Sequence, residues 1–341
     1  MSQKPQNHIS REVWDLLIQI SDPEKSMPDV ADFSDRCIFT ILDLARNHGV
    51  IEIVGQKLYV WLSERGFFNE VQALAEERQQ LVAKTMLLDY HAHELIDRFR
   101  REEIHAEIVK GPVFADLLYK NRGQRTYSDI DFLVKSEDIV GANQVAKEYG
   151  LRADESQWHV SEQKLEYKWF LTTATLNILI EIQGNLVHRP SLRKHAGFGY
   201  QEYLVANHLG TSPFIKLLIT AVVHTAFSDK FEILKVLIDV LQACRKLSPS
   251  DYESLKLVVR SLSFELEIGV TVYLVAKLFN DENAHRIAAL FEKVGAVQVG
   301  RMLITPNVIY ASQYGLWPAR AVLAKVLFRS IQKFPRQRFA V

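Results

Sequence analysis

Between Glu103 and about Leu186 the apolar residues of this chain alternate, whereas on both sides of that zone they recur at helical spacing. This change of period constrains the fold more than any other feature of the sequence. It calls for a small mixed sheet set between two helical regions, an α+β plan. Ile104, Ala106 and Ile108 alternate with His105, Glu107 and Val109, which predicts a strand running into Lys110-Gly111. Gly111 then falls at an N-cap and Pro112 at the first helical position, where its missing N–H is no loss. A short helix comes next with Val113, Phe114, Leu117 and Leu118 inward, and the polar stretch Lys120 to Gln124 leads as a loop to a second strand, Asp129-Ile130-Asp131-Phe132-Leu133-Val134.

Ser136, with Glu137 and Asp138 after it, is read as the cap of a helix that Gly150 stops. Tyr167 to Leu171 and Leu176 to Ile182 read as two further strands joined by a turn carrying Thr172, Thr173 and Thr175. In the second of these, Leu179, Glu181 and Gln183 share one face and Ile178, Ile180 and Ile182 the other.

The flanks are helical. From Ser10 to about Arg101 the pattern breaks at Asp22-Pro23, Asn47-His48-Gly49 and Gly66, and ends in a long helix from about Asn69 to Arg101 whose length suits a strut packed on the central zone. After Pro190 helices are expected at Pro213 to Ala226, Phe231 to Leu247, Asp251 to Phe279, Asp281 to Val294 and Pro318 to Lys333. The division is therefore an N-terminal helical region over 1–101, a core over 102–190 and a C-terminal helical domain over 191–341.

Composition sets limits on function. Lys plus Arg and Asp plus Glu both number 41 in the 341 residues, so no net field gathers polyanions and a long nucleic-acid substrate is disfavoured. Cys37 and Cys244 lie far apart in apolar periodic sequence and read as small buried hydrophobes, not as a disulfide or zinc framework. With no signal-like start and no apolar run of about 18 residues, a cytoplasmic protein without a membrane span is expected. His91 and His93 fall on different helix faces, and neither they nor His188 with His195 show zinc-ligand spacing. The basic stripe of Lys325, Arg329, Lys333, Arg336 and Arg338 reads as a solvated helix face and tail.

The chemistry resides in the alternating zone. Asp129 and Asp131 lie two apart on a strand, so their carboxylates point the same way about 7 Å apart and can share divalent cations. The strand–Gly–helix turn offers backbone N–H groups to phosphate, and Lys110 adds a mobile cation. Arg125 lies just before the second strand, where it meets developing phosphate charge or orders the loop through an ion pair. Together these predict a site for a metal-bound nucleoside triphosphate.

Lys110-Gly111-Pro112, Leu118-Tyr119, Arg125, Ser128-Asp129-Ile130-Asp131, Leu133-Val134 and Ile180-Glu181-Ile182 resemble the uncharacterised nucleotidyltransferase family of bacteria, a branch of the polymerase β-like superfamily. Leu44 to Val50 resembles that family's early helix and turn, and Leu217 to His224 with Ile238-Asp239 its C-terminal helical pair. Two positions depart from the pattern: Pro112 follows the glycine where many superfamily members have Ser or Gly, and Gln183 stands where the branch tends to carry histidine. The resemblance implies a polymerase β-like core, with Asp129, Asp131 and Glu181 as catalytic metal ligands for Mg²⁺ or Mn²⁺. It further implies that Lys110, Gly111, Arg125 and Ser128 contact the nucleotide, with ATP as donor. Gln183, His224 and Asp239 are candidates for the substrate cleft. The expected reaction moves a nucleoside monophosphate onto a hydroxyl of a small molecule, sugar or peptide. The alternatives are γ-phosphoryl transfer at the same site and a nucleotide-binding module without turnover.

Overall fold

A computed structural model describes residues 9–31, 33–153, 166–172, 177–193, 196–208, 212–228, 231–314 and 318–333. The chain opens with α1 (Arg11–Ser21), α2 (Asp35–Asn47), α3 (Ile51–Glu64) and α4 (Phe68–Arg101). Ser10 and Ser34 cap the first two, their hydroxyls accepting from the backbone N–H of Val13 and Cys37. The expected strut is α4. Its C-terminal half buries Leu88, Leu95 and Phe99 against Ile130 and Phe132 of the sheet.

The sheet contains β1 (Ala106–Ile108), β2 (Asp129–Val134), β3 (Arg152–Ala153), β4 (Glu166–Thr172) and β5 (Asn177–Gln183), in the order β1-β2-β5-β4-β3. Helices α5 (Pro112–Leu118) and α6 (Ile139–Glu148) connect its early strands. Among the described strands only β2 and β5 pair in parallel, with Asp131 beside Glu181 in their register. Ile178, Ile180 and Ile182 are fully buried on one face of β5. The start of β5 at Leu176 and the turn residues Thr173 and Thr175 lie outside the described residues, as does His195.

Ser136 does not cap α6. Residues Ser136–Asp138 form a 3₁₀ turn, no side chain caps the helix, and Asp138 instead accepts from both the backbone N–H and the ring Nδ1 of His105, at 2.9 and 2.8 Å. Two donors on one carboxylate outweigh a single local hydroxyl cap, and they pin the entry to β1. Gly150 ends the segment at φ 92°, as its position implied.

The C-terminal helices are α7 (Pro190–Arg193), α8 (Tyr200–His208), α9 (Pro213–Val223), α10 (Leu234–Lys246), α11 (Tyr252–Ser261), α12 (Glu265–Phe279), α13 (Glu282–Ala289), α14 (Gly295–Leu303), α15 (Pro306–Gln313) and α16 (Pro318–Gln332). The single helix expected over Asp251 to Phe279 is two, broken at Ser263, whose φ is 60°. Breaking there lets Phe264 turn inward against Phe198 and Phe227 while Leu255 and Ile268 also face the core. A continuous helix would not orient all three. α9 stops short of Ala226 and widens into a π turn over His224–Ser228.

Apolar residues of the N- and C-terminal helices join in one core that includes Trp14, Leu42, Leu237 and Ile268, and a second cluster covers the sheet beneath α4 and α6. Cys244 is buried there; Cys37 is only half-buried, so the expectation of two interior cysteines holds for one. Among the described residues no helix is long and apolar enough to cross a membrane. Arg336 and Arg338 of the basic tail lie outside the described residues.

Candidate active site

The parallel pairing of β2 with β5 assembles three carboxylates. Asp129, Asp131 and Glu181 each present an oxygen within 4.8 Å of the others. Asp131 and Glu181 are 4 and 8% exposed, while Asp129 at the strand entrance is half-buried. Three such charges repel one another, and neighbouring donors offset the repulsion. Gln183, fully buried two residues beyond Glu181, donates its Nε2 to Asp131 at 2.6 Å and to Glu181 at 3.1 Å. Its Oε1 has no hydrogen-bond partner among the described residues.

Two lysines complete the neutralisation. Lys110 Nζ lies 2.7 Å from Asp131, and Lys168 Nζ lies 2.8 Å from Glu181 and 3.4 Å from Glu166. Burial alone would pull the Lys110 ammonium down, but Asp131, with Asp129 and Glu181 behind it, raises it above its ordinary value. Lys168 is raised in the same way against its own desolvation, chiefly by Glu181. Glu166 is pushed down to about 2, first by the His188 ring, whose Nδ1 lies 3.0 Å from its carboxylate. The cluster therefore continues as an alternating row of charges along β4.

The phosphate turn is set by backbone geometry. Gly111 has φ 46° and ψ −107°, and a Cβ there would come 3.3 Å from the Tyr127 ring. Ser128 sits on the rim, its hydroxyl 3.4 Å from Asp129. Of the two readings of Arg125, the structure shows the ion pair: Nε and an Nη donate to the two oxygens of Asp239 at 2.7 and 2.8 Å. Tyr119 donates to the same carboxylate at 2.7 Å. Arg125 and Asp239 are 5 and 1% exposed, so Asp239 is interior and Arg125 reaches the pocket only with its edge. Asp239 drives the Arg125 guanidinium above its ordinary value although burial opposes this. His224, at the start of the π turn, brings Nδ1 to 3.4 Å from Lys110 Nζ.

A cavity of about 350 Å³ opens over Asp129 and Asp131. Lys110, Gly111, Arg125, Ser128 and His224 line it, and so do Arg46, Asn47, Gly49, Tyr127, Ile233, Lys235 and Val236. In the sequence, 47–49 reads only as a helix break and a family-like turn, and neither Lys235 nor Lys168 stands out. Glycine directly after a histidine in an apolar stretch is the one signal for the turn; nothing local marks the lysines.

A family model described as Uncharacterised nucleotidyltransferase matches residues 38–280, whereas no curated protein and no solved structure matches the chain. The matched span begins in α2, takes in both carboxylate strands, and runs on through α12. This chain accordingly belongs to the family of uncharacterised nucleotidyltransferases.

Proposed function

We propose that this protein is a divalent-metal-dependent transferase that moves a nucleoside monophosphate from a nucleoside triphosphate, ATP in the first instance, to a hydroxyl of a small molecule, sugar or peptide. The observation that carries this reading is the convergence of Asp129, Asp131 and Glu181 within 4.8 Å on adjacent parallel strands. Their donor set is all carboxylate oxygen, the hard set that suits Mg²⁺ or Mn²⁺ and not zinc or copper. The fit is therefore good, and these three residues would hold the ion. When bound, it supplies charge neutralisation of the triphosphate and polarisation of the attacked phosphorus.

The remaining roles belong to the chain. Lys110, held by Asp131, is the ammonium that can turn to the donor phosphates once that carboxylate has another partner. Gly111 lets the backbone approach the phosphates with no side chain in the way. Gln183 keeps Asp131 and Glu181 facing one another, and Lys168 holds the far oxygen of Glu181. The acceptor enters between the sheet and the helices α9 and α10, whose ends carry His224 and Lys235.

Incubation with ATP labelled at either the α- or the γ-phosphate, across a panel of hydroxyl acceptors, tests the proposal. Label transferred from the α-position with release of pyrophosphate supports it. Transfer of the γ-label with release of ADP would replace it with phosphoryl transfer. If Asp129→Asn and Asp131→Asn leave Mg²⁺-dependent ATP binding intact, the metal site itself is refuted.

A further inference from the structure

Helix α16 packs on the body of the protein through one side. Ala321 and Phe328 are buried there; the Phe328 ring meets Phe231 edge-on with 5.6 Å between centroids, and Gln332 donates to Glu267 at 2.9 Å. The basic stripe expected to be solvated turns inward with them. Lys325 pairs with Glu232 at 3.0 Å, and Arg329 donates to the carbonyl of Phe227 at 3.1 Å with its guanidinium over that ring. Positions 321, 325, 328, 329 and 332 share one side of a helix, so 322, 323, 326 and 327 fall on the other.

That outer side is apolar. Val322, Leu323, Val326 and Leu327 are 45 to 56% exposed, and among the described residues no other helix exposes four large aliphatic side chains. The neighbouring α14, whose Gly300 faces the Phe328 ring, exposes Val299 and Met302 as well. An apolar surface of this kind marks a contact with another apolar phase.

Charge distinguishes the possible occupants. Residues 294–341 contain five Arg and two Lys but no Asp or Glu, in a chain of zero formal net charge. Arg320 and Lys333, both exposed, bracket the aliphatic stripe. Two copies joined through α16 would set these cations against each other, Arg320 on Lys333 if antiparallel and like on like if parallel, with no carboxylate on the helix to intervene. An anionic bilayer surface suits both features at once: aliphatic side chains enter the acyl boundary while cations stay among the headgroups.

We infer that α16 docks on the surface of an anionic phospholipid bilayer, with Val322, Leu323, Val326 and Leu327 at the acyl boundary and Arg320 and Lys333 at the lipid phosphates. The contact is peripheral, and it stands apart from the reading of the carboxylate site.

The test is flotation of the full chain with phosphatidylcholine vesicles and with equimolar phosphatidylcholine–phosphatidylserine vesicles, beside analytical ultracentrifugation of the chain alone. The variants are Leu323→Ser/Leu327→Ser, the closer-shaped Val322→Thr/Val326→Thr, Arg320→Gln/Lys333→Gln, and Leu257→Ser at an exposed site on α11 as a control; thermal melts check folding. The wild type should bind the mixed vesicles more than about tenfold tighter than the neutral ones, since each cation at the headgroups contributes about fivefold. Leu323→Ser/Leu327→Ser should weaken that binding about tenfold or more, Val322→Thr/Val326→Thr in the same direction, and Arg320→Gln/Lys333→Gln about tenfold, with Leu257→Ser within about twofold. A wild type that does not float with the mixed vesicles, or that binds both compositions equally, overturns the inference. So does wild-type binding by folded Leu323→Ser/Leu327→Ser, or by Val322→Thr/Val326→Thr where the serine variant fails to fold. A concentration-dependent dimer that these substitutions abolish, with no flotation of the wild type, assigns the face to a second copy and overturns it as well.

Discussion

Replacing Asp239 by Leu strands a guanidinium in the interior. Arg125 then keeps Thr126 O at 2.7 Å as a partner but loses both charge-assisted bonds to the carboxylate. Breaking one side of so buried a pair costs about 3–5 kcal/mol, because the remaining charge has neither water nor counterion. Arg125→Met leaves Asp239 with Tyr119 alone and falls in the same range. The double substitution Arg125→Met/Asp239→Leu removes both charges, so its cost shrinks to the orphaned Tyr119 hydroxyl, about 1–3 kcal/mol. The singles thus sum to roughly 6–10 kcal/mol against 1–3 for the double, a coupling of at least about 3 kcal/mol. Urea unfolding followed by tryptophan fluorescence and by circular dichroism measures it, provided the two transitions coincide. If the single costs add to that of the double within about 0.5 kcal/mol, the pair is not buried and dry in solution, and the reasoning fails.

Three further outcomes are expected. His48 is pushed down to about 4 by its burial, so the folded state resists protonation and stability falls as pH drops from about 6.5 towards 4; the loss approaches about 3 kcal/mol, and urea midpoints at pH 7 and 4.5 should show it in the wild type but not in His48→Gln. Gly111→Ala forces a side chain to φ 46° against Tyr127 and should cost about 1–3 kcal/mol along with Mg²⁺-ATP binding; normal calorimetric affinity in a variant of normal melting temperature would contradict the turn geometry. Gly300→Ala places a Cβ 2.5 Å from Val270 where α14 crosses α12, so it should destabilise by about 1–3 kcal/mol despite alanine's better helix propensity, as a lowered melting temperature.

The sheet and its carboxylates were legible because their signals are local. A side chain two residues along a strand returns to the same face, so Asp129 with Asp131, and Glu181 with Gln183, could be placed from spacing alone. The register that sets Asp131 beside Glu181 depends on a crossover through α6 and the β3–β4 strands, which spacing does not encode. The partner of Arg125 lies 114 residues away, so a phosphate contact and an ion pair were indistinguishable until the fold joined them. Lys235 looks like one more polar residue of an amphipathic helix, and only its seat over Gly49 marks it. The break before Phe264 escaped notice because Ser263 takes a positive φ with neither Gly nor Pro to announce it.

The ring of Trp14 packs edge-on to His48 and tilts against Tyr310 and Tyr314, and Tyr310 donates to the carbonyl of Ile9. These contacts tie the first helix to one of the last, and they set the timing of folding on the ribosome. His48 must wait for Tyr314, 266 residues later, an interval on the order of tens of seconds at ordinary synthesis rates. Throughout it the apolar faces of α1 and α2 lack their final cover, and exposed apolar surface of this kind is prone to aggregation. Mutations in α15 should therefore show first as lower yield of folded protein, before any change in turnover.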